Sequence, residues 1–273
     1  MTQTRTSAQY QPALFVPHGA PTFALRPGAA GAALAAMAQS LPQPRAIVIV
    51  SAHWDTTVPT VGFAERPETI HDFWGFPAEL YDIRYPATGC REAAEEVVAA
   101  LKNAGLPTAT DHTQGLDHGA WVPLRLMFPD ADVPVIPLSI QSRGGTEQAY
   151  RLGQALAPLA EKGFLVIASG NLTHNLRDYQ MAAMSGGRTP AYVRQFTDWL
   201  ADNIHAGNTD ALLDYRRQAP GGVQAHPTDE HLLPLYVALG AGGENATATR
   251  FHAGIDDYVI AMDAFSFLGK KGG

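Results

Sequence analysis

The chain has 273 residues, 46% of them hydrophobic, and a formal net charge of −7. That is enough to bury one sizeable core, and acidic enough to argue against nucleic acid or an anionic membrane surface as partner. A single cysteine, Cys90, excludes an internal disulfide framework and a thiolate zinc cluster, no stretch approaches the ~18 consecutive apolar residues of a membrane span, and no apolar segment follows Arg5 as in a signal peptide, so the expected setting is cytoplasmic.

No linker, run of like charge or repeat divides the chain, which reads as one catalytic domain over residues 12–273 behind a flexible polar segment at 1–11. Residues 12–17 form the first strand, Leu14-Phe15-Val16-Pro17 leading into His18. Residues 28–40 are alanine-rich and helical, closed by Pro42. The second strand, 45–52, carries Ile47-Val48-Ile49-Val50 with no polar alternation, the pattern of a strand buried on both faces of a parallel sheet. It runs through Ser51 and Ala52 into His53. Residues 54–89 are irregular and hold Trp54, Phe63, Phe73, Trp74, Phe76, Tyr81 and Tyr85 with four prolines between them. A loop that long in a compact domain is usually functional; its aromatics either wall a pocket or pack on themselves over the sheet.

Residues 91–104 form an amphipathic helix, Glu92, Glu95 and Glu96 early, Val97, Val98 and Leu101 inward, with Gly105 in the C′ position. A polar turn leads to Leu116-Asp117-His118-Gly119-Ala120-Trp121 and a short helix to Phe128. A strand at 133–140, a helix at 146–162 and a strand at 164–169 follow, an alternation that signals a layered α/β sheet. The strand at 164–169 leads through Gly170-Asn171-Leu172-Thr173 to His174. Residues 190–206, 209–217 and 232–239 are helical, while 247–252 and 258–267 alternate as an antiparallel pair would at the sheet edge.

Three apolar runs thus deliver His18, His53 and His174 at the strand ends where α/β sheets collect ligands. Neutral imidazole is the commonest transition-metal ligand, and two or three such donors suit iron(II) or zinc. His18 and His53 are expected on neighbouring strands with converging rings. His231, in the first turn of a helix capped by Thr228 or Asp229, offers a third donor. His174, after a tight turn, suits a general acid/base, and His118 a second one or a substrate donor. His226 precedes Pro227, so its backbone is extended; it is read as a substrate contact or an alternative ligand. His71, His112, His205 and His252 have no such context. No nucleophile elbow, phosphate loop or dinucleotide fingerprint appears.

The segments Pro17-His18-Gly19-Ala20-Pro21, Ser51-Ala52-His53-Trp54, Ile70-His71-Asp72-Phe73-Trp74-Gly75-Phe76-Pro77, Leu116-Asp117-His118-Gly119-Ala120-Trp121, Ser169-Gly170-Asn171-Leu172-Thr173-His174-Asn175 and His226-Pro227-Thr228-Asp229-Glu230-His231 occur in this order. Together they resemble the DOPA-extradiol-dioxygenase branch of the LigB superfamily, over residues 12–267. The resemblance implies a single three-layer α/β/α domain around a mixed, largely parallel sheet and one mononuclear non-haem metal. It implies that a catechol such as DOPA or caffeate chelates iron(II), that O₂ binds beside it, and that the ring opens next to the diol. His18 and His53 match metal ligands, His231 the third ligand position, His174 the acid/base and His118 the active-site histidine of the Asp-His-Gly motif. Some members of the superfamily use glutamate as the third ligand, and Glu230 stands beside His231. Others hold zinc, with His174 as a fourth ligand. Trp54, Phe73 and Trp74 would supply the ring-binding wall. The rival readings are a zinc-dependent hydrolase, separable by activity without O₂, and a non-catalytic metal-binding protein of the same fold.

Overall fold

The structure, a computed structural model, describes residues 9–269. Residues 1–8 of the segment expected to be flexible lie outside the described residues. In chain order the first elements are β1 (Ala13–Pro17), α1 (Gly28–Ser40), β2 (Ala46–Asp55), β3 (Thr60–Gly62), α2 (Glu79–Asp82), α3 (Arg91–Asn103), β4 (Ala109–Asp111) and α4 (His118–Met127). Next come β5 (Val135–Ile140), α5 (Gly145–Leu156), β6 (Phe164–Gly170), α6 (Leu176–Met184), α7 (Ala191–Ala206), α8 (Thr209–Leu213), α9 (Tyr215–Gln218) and α10 (Gly222–Ala225). The chain closes with α11 (Leu233–Ala241), β7 (Thr247–His252), β8 (Ile255–Asp256), β9 (Ile260–Ala261) and β10 (Ala264–Leu268).

The unbroken apolar runs become the sheet's centre. The eight strands lie in the order β4-β3-β5-β2-β6-β1-β10-β7. The middle four, β5, β2, β6 and β1, pair in parallel, and every residue of β1, β5 and β6 is buried. Strands without polar alternation need cover on both faces. On one face α11 lies over β6 and β1 and packs along α5; on the other α4 crosses β2 with α1 beside it. The result is a mixed, mostly parallel sheet between two helical layers, as expected. The antiparallel pair β7–β10 closes the sheet beside β1, also as expected. Among the described residues no helix is long and apolar enough to cross a membrane.

The strand order differs from expectation at one place that matters. β1 and β2 are not neighbours, because β6 stands between them. Register still brings their ends level: Val16 and Ser51 both pair with Ser169 of β6. His18 and His53 each lie two residues beyond that row, on the same phase of the pleat. Smaller differences follow from length. β3 and β4 have three residues each, and β2 runs on to Asp55, whose carboxylate accepts a hydrogen bond from the Ser142 backbone N–H at 2.9 Å. The helix expected to Lys162 is α-helical to Leu156 and tightens to a 3₁₀ turn from Ala157, with Pro158 at its start. α6, in a stretch with no expected element, has only Ala182 buried. His231 sits in the turn before α11, not in its first turn; the Asp229 carbonyl accepts the Leu232 and Leu233 N–H groups there.

Candidate metal centre and substrate cavity

Three strand ends and one helix approach set the site. His18 follows β1 fully buried, and its Nδ1 lies 3.0 Å from Ser169 Oγ at the end of β6. His53 lies in the last turn of the pleat of β2, its Nε2 3.2 Å from His18 Nε2. His231 reaches the same point because the backbone of its turn is bound to the end of β6: the Asn171 N–H donates to the His231 carbonyl at 3.0 Å. A Cβ on Gly170 would run into that carbonyl, so the close approach requires glycine. The three rings form a triangle with centroids 5.0 Å (His18–His53), 5.3 Å (His18–His231) and 4.9 Å (His53–His231) apart. One nitrogen from each falls within 4.8 Å of the other two.

In each ring the other nitrogen meets a side-chain oxygen. Nδ1 of His18 faces Ser169, Nδ1 of His231 is 3.3 Å from Glu230 Oε1, and Nδ1 of His53 is 3.5 Å from Asp72 Oδ2. An outer partner on Nδ1 fixes the tautomer that leaves Nε2 free to ligate. Burial disfavours the imidazolium form and holds His18 and His231 well below the ordinary range, and takes His53 to about 3. A metal needs deprotonated ligands, and these are deprotonated at neutral pH. The residues present therefore fit a single divalent ion with three imidazole donors and open positions. Glu230 stands behind His231.

His118 and His174 flank this triangle. His118 is the first residue of α4, whose Asp117 cap accepts from the Ala120 N–H at 3.1 Å and from Ser51 Oγ at 2.5 Å. Burial pushes the Asp117 carboxyl up to about 6, against the Ser51 hydrogen bond. A Cβ on Gly119 would strike Ser51 Oγ, so this helix can start against β2 only with glycine there. The His118 ring lies 4.1 Å from that of His53, and both oxygens of Asp72 are 3.0 Å from its Nδ1. His174 follows β6 through Thr173, whose hydroxyl donates to the Val259 carbonyl at 2.5 Å and accepts the Ala261 N–H at 2.9 Å. The His174 ring stacks on His231, 3.5 Å between centroids and 7° between planes. Burial lowers it to about 4, with Glu230 opposing. Its nitrogen groups with His231 and Glu230, not with His18 and His53.

His53, His118, His174 and His231 open into a cavity of about 1150 Å³, with His18 buried behind them. Phe73, Trp74, Phe76, Leu176, Tyr179 and Tyr258 supply much of its apolar lining. Phe73 is buried and stands edge-on to His118, 5.7 Å and 90° away, while Trp74 is 85% exposed at the rim. The aromatic loop does both things expected of it: Phe73 and Phe76 wall the cavity, while Tyr81 and His71 pack against Phe73 from within the loop. The structure does not bring Trp54 or His226 to the cavity. Trp54 points from β2 on the alternate phase to His53. His226 is fully buried beside Phe196 and Tyr215 and donates from Nε2 to the Leu172 carbonyl at 2.8 Å. Asp72, Ser51 and Ser169 have no signal of their own in the sequence; their importance comes from side chains that the fold brings to them.

A family model described as the catalytic LigB subunit of aromatic ring-opening dioxygenase matches residues 29–258. The chain belongs to the LigB family. It is 42% identical over 226 residues to a 4,5-DOPA dioxygenase extradiol of Beta vulgaris, covering 82% of this chain and 83% of the relative. It is 39% identical over 240 residues to the protein of the same name from Escherichia coli K12, covering 86% of each. The crystal structure of an uncharacterized protein from Escherichia coli K12 superposes with a TM-score of 0.78 at 31% identity, over 95% of this chain and 100% of that one. As a LigB protein the chain is an aromatic ring-opening dioxygenase, and the histidine triangle is its candidate metal centre.

Proposed function

We propose that this LigB enzyme opens the ring of a catechol beside its two hydroxyls, consuming O₂, at one divalent metal held by His18, His53 and His231. The observation that carries the reading is the triangle itself: three neutral imidazoles, each with Nδ1 near a side-chain oxygen and with one nitrogen from each within 4.8 Å of the others, beneath an aromatic-walled cavity. When bound, the metal lowers the pKa of the catechol hydroxyls and gathers both reactants in one place; iron(II) is the ion proposed for ring cleavage, and zinc fits the same donors.

The chain's own side chains do the rest. His174, neutral at working pH and stacked over His231, accepts the second catechol proton and holds it at its ring nitrogen for return to the opening product. With Nδ1 engaged by Asp72, His118 presents Nε2 as an acceptor to a substrate hydroxyl. Phe73 offers the ring an edge-to-face wall. Arg26 and Asp256, on the same lining, offer opposite charges to a polar ring substituent such as that of DOPA. His174 as a fourth metal ligand belongs to the zinc-loaded form of this proposal. Residues 12–273 are read as one catalytic domain, and the proposed compartment is the cytoplasm, where a single free Cys90 is the ordinary state.

The test is a catechol panel with DOPA and caffeate, on protein stripped of metal and reloaded with iron(II) or zinc. O₂ uptake and product absorbance are followed together. Iron-dependent uptake with a ring-opened product is the expected result. No uptake with any catechol, or turnover that persists without O₂, overturns it in favour of hydrolysis.

A further inference from the structure

Asp72 sits where the metal-binding and substrate-facing histidines meet. It comes from the aromatic loop, not from the sheet, yet its carboxylate touches both groups. Oδ1 accepts the His118 backbone N–H at 2.8 Å, both oxygens lie 3.0 Å from His118 Nδ1, and Oδ2 lies 3.5 Å from His53 Nδ1. As a carboxylate it offers these nitrogens acceptors only.

Resting on the catechol-dioxygenase reading above, we propose that Asp72 is a positioning residue shared by the two functions: one carboxylate holds His53 and His118 together in the Nδ1–H tautomer. His53 then has Nε2 free for the metal and His118 has Nε2 free for the substrate. Ser169 and Glu230 each serve one ligand histidine; Asp72 alone among these three oxygens also serves a histidine outside the triangle. Because it lies next to Phe73 in the chain, it also ties the ring-binding wall to the metal centre.

Asp72→Asn tests this without changing size. The amide oxygen still accepts the His118 N–H, but the NH₂ group now confronts the ring nitrogens with a donor, favouring the Nε2–H tautomer that blocks both rings. Three measurements follow on Asp72→Asn, His118→Ala and the double variant. In ¹⁵N-labelled, metal-free protein the ring-nitrogen shifts of His53 and His118 should change tautomer in Asp72→Asn. Zinc affinity, by competition with a chromophoric chelator, should fall about 10- to 100-fold in Asp72→Asn and in the double variant, but not in His118→Ala. At saturating iron(II), kcat of the double variant should be no lower than that of His118→Ala. Unchanged ring-nitrogen shifts, or zinc affinity within threefold of the parent, would overturn the proposal; so would additive losses of kcat. Asp72→Glu should restore part of the zinc affinity, which a fold defect would not allow. The first two measurements need no ring cleavage, so they decide the role of Asp72 even if no catechol is turned over.

Discussion

The two walls of the cavity are built on opposite terms. One hangs from β1, β2, β6 and the turn before α11, where backbones are buried and paired in a common register, and it carries His53 and His231 with the fully buried His18 and Ser169 behind them. The other is made of connections: the aromatic loop with Phe73 and Trp74, the start of α6 with Leu176 and Tyr179, and the β8–β9 turn with Asp257 and Tyr258, both at positive φ. A site demanding sub-ångström geometry gains from the first kind of support, and a site that only has to choose among rings is served by the second. On the proposed reading, metal binding belongs to the sheet-end wall, with Asp72 reaching in from the loop, and substrate choice belongs to the loops.

Substitutions can break that division, beginning with the strongest. His18→Ala removes a donor from the sheet-end wall and should weaken metal binding by more than the ~100-fold upper range for a supporting residue, with ring cleavage lost; chelator competition measures the first and O₂ uptake the second. Retained affinity would mean that the triangle is not the ligand set. His174→Ala lies between the walls and should keep its metal content while turnover falls by roughly 100- to 10,000-fold. Unchanged turnover would remove His174 from the chemistry. Phe73→Ala attacks the loop wall: KM should rise on the order of tenfold, as expected for losing an edge-to-face aromatic contact and its buried area, with kcat moving less. A fall in metal affinity instead would show that the walls are not separable at this point.

Acidity acts on the fold as a whole, which holds several histidines neutral. His226 is a clear example, at about 3 when folded through burial, against 6.5 when exposed. A depressed histidine pKa stabilises the folded chain above 6.5, and that stability is lost as pH falls from 6.5 towards 3 because the unfolded state binds the proton first. The raised carboxyls of Asp117 and Asp263, at about 6, act in the opposite direction. They are outnumbered by His18, His53, His174, His226 and His231. The unfolding free energy of metal-free protein in urea should therefore drop by about 1 kcal/mol or more per pH unit between 6.5 and 4; a flat profile would contradict the burial argument. The smallest effect is expected at the rim, where Trp74→Ala at an 85% exposed position should change KM less than about threefold.

The same division decides what could be seen in the sequence. Ile47 to Val50 and Phe164 to Ile167 are unbroken apolar runs, so the central strands and the histidines they end in were legible from pattern alone. β3 and β4, three residues each, are too short to carry a period, and α6 has only one buried residue and so no apolar stripe. That β6 lies between β1 and β2 is a matter of sheet order, on which local sequence is silent. Trp54 and Trp74 looked alike as aromatics, yet the pleat turns one away from the cavity and the loop leaves the other at its rim. Asp72 was invisible for a related reason. Its partners are His118, 46 residues on, and His53, across the sheet end, and nothing periodic connects them.

The placement of β6 between β1 and β2 has a consequence for the order in which the protein comes into being. His18 leaves the ribosome early, but its triangle closes only after β6 has inserted between the first two strands and the turn bearing His231 has docked on Gly170. Until residue 231 is made, a nascent chain offers at most two of the three donors, too few to discriminate among metals. Pairings this remote in sequence are slow to form. On the proposed ligand set, a chain that stops before residue 231 should bind the metal more weakly than the whole chain, as chelator competition would measure.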